Sequence, residues 1–161
     1  MDKGSKGFSL IELLIVVAII LIIAAIAIPN FLRSRIAANQ ASAVASLRTL
    51  DSAEIIYSAT YGAGYTVDMA TLAPLTVTGA NPTSTAAALI DSVLATGAKS
   101  GYSFTYSPGA SDSSGRINTY GITSVPISSN TGTNYYYTDQ SGVIRQNSTT
   151  TAGSTDSPLA G

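Results

Sequence analysis

The sequence contains no cysteine and no histidine. Disulfides, thiol nucleophiles, imidazole general bases and the usual zinc and transition-metal ligands are therefore excluded. Tryptophan is absent too, and three phenylalanines stand against nine tyrosines. Charge is scarce: eight Lys and Arg against nine Asp and Glu give a net charge of −1. Such a balance sets up no strong field toward nucleic acid or an anionic surface, so no direct nucleic-acid partner is expected. No glycine-rich phosphate loop and no G-x-S-x-G elbow occurs, and the carboxylates are scattered. Neither a catalytic constellation nor a cofactor site is legible, and none is expected; the reading is of a protein that is not an enzyme.

What the chain does have is apolarity crowded into one place. Residues 8–28 read FSLIELLIVVAIILIIAAIAI, about 21 residues, with no polar side chain from Leu13 to Ile28. At about 1.5 Å per residue, a helix of that length crosses the hydrocarbon core of a bilayer. The run is apolar all round, which separates it from an amphipathic surface helix. A secretory signal peptide has a shorter apolar stretch and a small-residue cleavage site, whereas Ile28-Pro29-Asn30-Phe31 is a poor one. An ordinary signal anchor is the other plain reading. Lys3 and Lys6 before the run and Arg33 and Arg35 after it leave its orientation undecided.

Glu12 breaks the run. A carboxylate inside a membrane helix costs on the order of 3 kcal/mol on insertion scales and marks a functional position by default. It either reaches the interface from near the helix end or needs a cation. The cations nearby are Lys3, Lys6 and any amine created by cleavage.

The stretch KGFSLIELLIVVAII closely resembles the class III signal of type IV prepilins and the related pseudopilins of type II secretion. The resemblance implies that a membrane peptidase cuts between Gly7 and Phe8 and that Phe8 becomes the N-methylated first residue. It further implies that Glu12 pairs with the Phe8 amine of a neighbouring subunit during assembly, two charges neutralising each other in an apolar core. Pro29 matches the family's helix-kinking proline. The implied partners are other copies of the chain in a helical filament, the inner membrane before assembly, the prepilin peptidase/methyltransferase and the pilus assembly machinery. The implied location is the bacterial inner membrane for the precursor, then an extracellular pilus or a periplasmic pseudopilus. The strong resemblance covers roughly the first 35 residues. Leu21 stands where many relatives have glycine, and the absence of Cys removes the disulfide with which many pilins close a C-terminal loop. A type II secretion major pseudopilin is the alternative within the family. A bitopic anchored binding protein that never polymerises is the alternative outside it.

Past Pro29 the pattern becomes periodic. Ile36, Ala43, Leu47, Leu50, Tyr57 and Tyr61 fall on one helical stripe, interrupted by Gln40 and Glu54. The expected architecture is α+β. One long helix over 9–61, bent near Pro29, has a membrane-spanning half and an amphipathic half packed on three or four antiparallel strands. The expected division is a leader at 1–7, a membrane and filament-core helix at 8–29, the amphipathic half at 30–61 and a globular head at 62–161. Glu54 is expected at the edge of the stripe, paired or solvated. Gly62 and Gly64 end the helix. A short turn is expected over 71–75, an Asn81-Pro82 turn, and a short helix over 85–94.

Strand signals follow at 102–106, 118–124, 134–138 and 143–146, with a hairpin turn at Asp139-Gln140-Ser141-Gly142. The Ser/Thr/Gly-rich tail from Asn147 reads as loosely ordered. Asp112 and Asp139 suit oxygen-rich calcium sites, but no EF-hand-like spacing supports one, and both are read as turn residues with no metal expected. Tyr57, Tyr61, Tyr65 and the run Tyr135–Tyr137 are read as core and interface anchors, with stacking along a filament as the other role. Asn147-Ser148-Thr149 matches the N-linked acceptor pattern, a short motif that recurs by chance.

Overall fold

The computed structural model describes residues 7–77 and 79–159. Of the expected leader at 1–7, residues 1–6, with Lys3 and Lys6, lie outside them. Helix α1 runs from Leu10 to Tyr61, 52 residues, and is continuous through Leu21 and Pro29. The chain divides between Arg35 and Ile36 into two units, and α1 contributes to both.

In the first unit the large side chains from Phe8 to Leu32 are exposed, Leu10 at 77% and Ile22 at 64%. Within this unit no described residue covers this apolar surface. Among the described residues α1 is the one helix long and apolar enough to cross a membrane.

In the second unit α1 becomes one-sided. Ala43, Val44, Leu47, Leu50, Ala53 and Tyr57 are buried, while Ile55 and Ile56 are exposed. The helix ends at Gly62, whose N–H bonds to the Ser58 carbonyl and whose φ of 66° suits a residue without a Cβ. A 3-10 turn over Met69–Leu72 follows, capped by Asp68, whose carboxylate accepts from the Thr71 N–H. It corresponds to the turn expected over 71–75, placed two residues earlier by its cap.

The short helix expected over 85–94 is a correction. Only Ser92–Ala95 is helical (α2). The amides of Ala87, Ala88, Leu89 and Ile90 bond across to the carbonyls of Thr71, Ala73 and Leu72, so they are spent before a helix could use them. Ala88 sits at φ 55°, off the helical basin. The Asp91 carboxylate caps the Leu94 N–H and so starts the helix late.

Five strands form one antiparallel sheet in chain order: β1 Ala98–Lys99, β2 Tyr102–Pro108, β3 Tyr120–Pro126, β4 Tyr135–Asp139 and β5 Arg145–Asn147. The first, with only two residues, carries no pattern that could announce it. The strand expected at 118–124 starts two residues later, because the Asn118 amide donates to Asp112 and closes the preceding loop. The ladder pairs Tyr106 with Ile122 and Ile122 with Thr138. Alternation then turns Tyr102, Phe104, Tyr120, Ile122, Ser124, Tyr136 and Thr138 inward. They meet the buried face of α1 in one core with Leu47, Leu50, Leu72, Ile90 and Leu94.

The tail also departs from the loose order its composition predicts. The Leu159 N–H bonds to the Ile144 carbonyl and the Gln146 N–H to Ser157. Asp156 accepts from the Asn147 amide at 2.9 Å and the Gly153 N–H at 2.8 Å, and Ala152 is buried. Hydrogen bonds thus close this C-terminal loop.

Candidate functional site

The N-terminal segment is the first candidate. The Ser9 carbonyl accepts the first helical hydrogen bond, from Leu13, which makes Ser9 the cap of α1. Glu12, three residues on, reaches back so that its Oε2 accepts the Ser9 N–H at 3.0 Å. This is half of a capping box, and its S-x-x-E spacing was legible in the sequence but goes unread when Glu12 is taken only as an intramembrane charge. The position also lets the carboxylate face the positive end of the helix dipole. Phe8 is 76% exposed. A Cβ at Gly7 would meet nothing within 4 Å among the described residues, so none of them requires glycine there. Pro29 lies inside the helix, where it removes one backbone donor.

A second cluster lies in the head, and composition did not reveal it. Glu54 is fully buried, not at an edge as expected. Its two oxygens accept from the N–H and the hydroxyl of Thr66. Asp51, three residues earlier on the same helix face, is buried as well. It accepts from the Tyr120 hydroxyl at 3.0 Å and the Thr138 hydroxyl at 2.8 Å. Burial pushes both carboxyls above their ordinary range, against the pull of those hydrogen bonds. The missed signal was the i, i+3 spacing, which puts two acids side by side on a helix face that must meet a sheet.

The remaining marked residues act locally. Asp112 accepts from the N–H groups of Ser114 and Arg116 and from the Asn118 amide. Asp139 accepts from the Ser141 N–H. Among the described residues no group of three or more metal-ligating side chains converges. The Asn147 amide, within the glycosylation-like motif, is engaged by Asp156, and its carbonyl oxygen takes the N–H groups of Thr149 and Thr150. Tyr65 meets Tyr120 edge-on at a centroid distance of 4.7 Å, Tyr106 stacks on Tyr120 at 5.9 Å, and Tyr57 packs on Tyr61 at 5.0 Å.

Residues 2–28 match the prokaryotic N-terminal methylation motif. The N-terminal segment is similar to those of type IV major pilins. Over 53 residues, 33% of this chain, it is 52% identical to the type IV major pilin protein PilA of Myxococcus xanthus, and the match covers 24% of that protein. Over 45 residues, 28% of this chain, it is 56% identical to the type IV wide pilus major component PilA4 of Thermus thermophilus, and the match covers 34% of that protein. The chain thus spans about a quarter to a third of the length of these pilin relatives. No solved structure matches it. The pilin-type segment carries Gly7, Phe8, Glu12 and the apolar run; the buried carboxylates of the head lie C-terminal to the methylation motif.

Proposed function

We propose that the chain is the structural subunit of a type IV pilus filament. The observation that carries this reading is the apolar surface of 8–28, left uncovered by the described residues of its own unit and interrupted only near its start, at Ser9 and Glu12. Before assembly the bilayer covers that surface; in a filament, the same surface of neighbouring copies does. The energetic reason is burial: each large apolar side chain is worth about 1.5–3 kcal/mol when removed from water.

Within this reading, prepilin peptidase cuts after Gly7 and methylates Phe8. The openness around Gly7 fits a residue read by an enzyme's site, not one demanded by the fold. Glu12 then meets the Phe8 amine of the next subunit. A subunit added out of register would leave both charges unpaired in an apolar core, which costs about 3–5 kcal/mol, so the pair would also select the register. The role is structural, not catalytic, and the head lies outside the filament core. That both relatives are major pilus components favours a pilus over a secretion pseudopilus.

The test is mass spectrometry of material sheared from cells. A peptide beginning at methylated Phe8 in the sheared fraction is expected, and a Gly7→Asp variant should accumulate as the uncut chain. The methylated peptide found only in the cell envelope would point to a pseudopilin. An intact N-terminus in the wild type would overturn the filament reading in favour of an anchored, non-polymerising protein.

A further inference from the structure

We infer that the Asp51–Glu54 pair is an acid-tightened latch between α1 and the sheet of the head. The inference stands on the contacts. Both carboxylates are buried, and each is held by neutral donors: Tyr120 of β3 and Thr138 of β4 on Asp51, the Thr66 hydroxyl and N–H on Glu54. Through these bonds the helix is tied to two strands and to the segment that follows its own end.

The titratable groups around the pair are acids and phenols. Asp139 of β4 lies beside Asp51, and Asp51 itself lies beside Glu54. Tyr57 of α1 and Tyr106 of β2 feel the charge of Glu54, and Tyr120 of β3 that of both acids. Tyr65 and Asp68 complete the surroundings through Tyr120 and Tyr106. Among the described residues the one recorded ion pair is elsewhere, Lys99 with Asp91. Ionised, the pair is therefore two like charges in a dry site with no cation opposite them, the costly arrangement.

Protonation need not cost the latch its contacts. A threonine hydroxyl can donate or accept, so Thr66 and Thr138 can turn to accept a hydrogen bond from a neutral carboxyl. The Thr66 N–H and the Tyr120 hydroxyl keep their acceptors. A Lys or Arg partner would have favoured the charged form instead.

The direction with pH follows. Both folded-state pKa values lie above their ordinary values of 3.8 and 4.5. The folded head therefore holds protons that the unfolded chain releases. That stabilisation is fully present below the ordinary values and is lost as pH rises through the raised ones. Within that window each carboxyl changes the folding equilibrium constant by about tenfold per pH unit.

The experiment uses the full chain in detergent micelles, with carboxyl-¹³C Asp and Glu titrated by NMR and urea unfolding followed from acid to neutral pH. Asp51 and Glu54 should titrate above 3.8 and 4.5, and stability should fall as pH rises. Asp51→Asn and Glu54→Gln should each remove about one decade per pH unit from that dependence. Midpoints at or below the ordinary values would overturn the latch, as would a pH dependence unchanged by both substitutions. If a variant does not fold, the two resonances of the unsubstituted chain decide the question alone.

Discussion

Two glycines just past the end of α1 allow the cost of a close backbone approach to be isolated. Gly62 and Gly64 both have left-handed backbones, with φ of 66° and 83°. Alanine at either pays a conformational penalty of about 1–2 kcal/mol. The surroundings differ. A Cβ on Gly62 meets nothing within 4 Å, whereas one on Gly64 would lie 2.2 Å from the Ile117 carbonyl oxygen and 3.0 Å from its carbon. That carbonyl is not free to swing away, because it accepts the Tyr65 N–H at 2.7 Å. Relief means pulling the 109–119 loop off the helix end and losing that bond, about 1 kcal/mol, on top of overpacking worth about 1–3 kcal/mol. Gly64→Ala should therefore destabilise the head by about 3–6 kcal/mol and Gly62→Ala by about 1–2 kcal/mol. Urea unfolding of the full chain in micelles, followed by the near-ultraviolet dichroism of its tyrosines, reads the difference. Equal losses within about 0.5 kcal/mol would refute the claim that the Gly64–Ile117 contact, and not backbone handedness alone, selects glycine.

Two further expectations address the ends of the chain. Asp156→Ala should cost about 1–3 kcal/mol locally and speed amide hydrogen exchange across 147–159, since it removes the acceptor for both Asn147 and Gly153; unchanged protection would mean that the loop is held by other contacts. Glu12→Gln retains an oxygen for the Ser9 N–H while Glu12→Ala does not. If the charge is what assembly requires, both should lose filament yield by more than about tenfold, on the scale of an unpaired buried charge, with membrane insertion intact. Full yield from the Gln variant would assign Glu12 to capping alone.

The sequence announced the elements whose side-chain pattern repeats. The stripe from Ala43 to Tyr57 is the buried face of α1, and the aromatic alternation of Tyr102, Phe104 and Tyr106 places β2 and its inward face. It did not announce elements set by single contacts between distant residues. The stretch 86–90 has a helical spacing of apolar residues, yet its amides pair with 71–73, and no local periodicity can show that. The tail is similar: its composition is that of a loose segment, and its order comes from one carboxylate, Asp156, and from two backbone bonds, Leu159 to Ile144 and Gln146 to Ser157. At the N-terminus the opposite holds. Gly7, Phe8, Glu12 and the apolar run are legible through the resemblance of one contiguous motif, because on the proposed reading what uses them is outside the chain and acts on an extended segment.

Helix α1 carries three carboxylates, Glu12, Asp51 and Glu54, and the contrast between them follows from what each can find locally. Glu12 sits in the first turn, where unsatisfied N–H groups and the dipole offer partial positive charge, so it is partnered by its own helix without any tertiary structure. One oxygen engages the Ser9 N–H, which holds the side chain toward the helix start. Asp51 and Glu54 lie past the point where the helix backbone has anything to offer, since its N–H groups there are spent within the helix. Their partners must come from elsewhere in the fold, and the sheet and the post-helical segment supply hydroxyls. Such partners satisfy an oxygen whether it is charged or neutral, so the fold does not depend on the charge of the pair, while its stability does. The same helix thus presents one acid partnered by its own first turn and two whose partners the rest of the fold must supply.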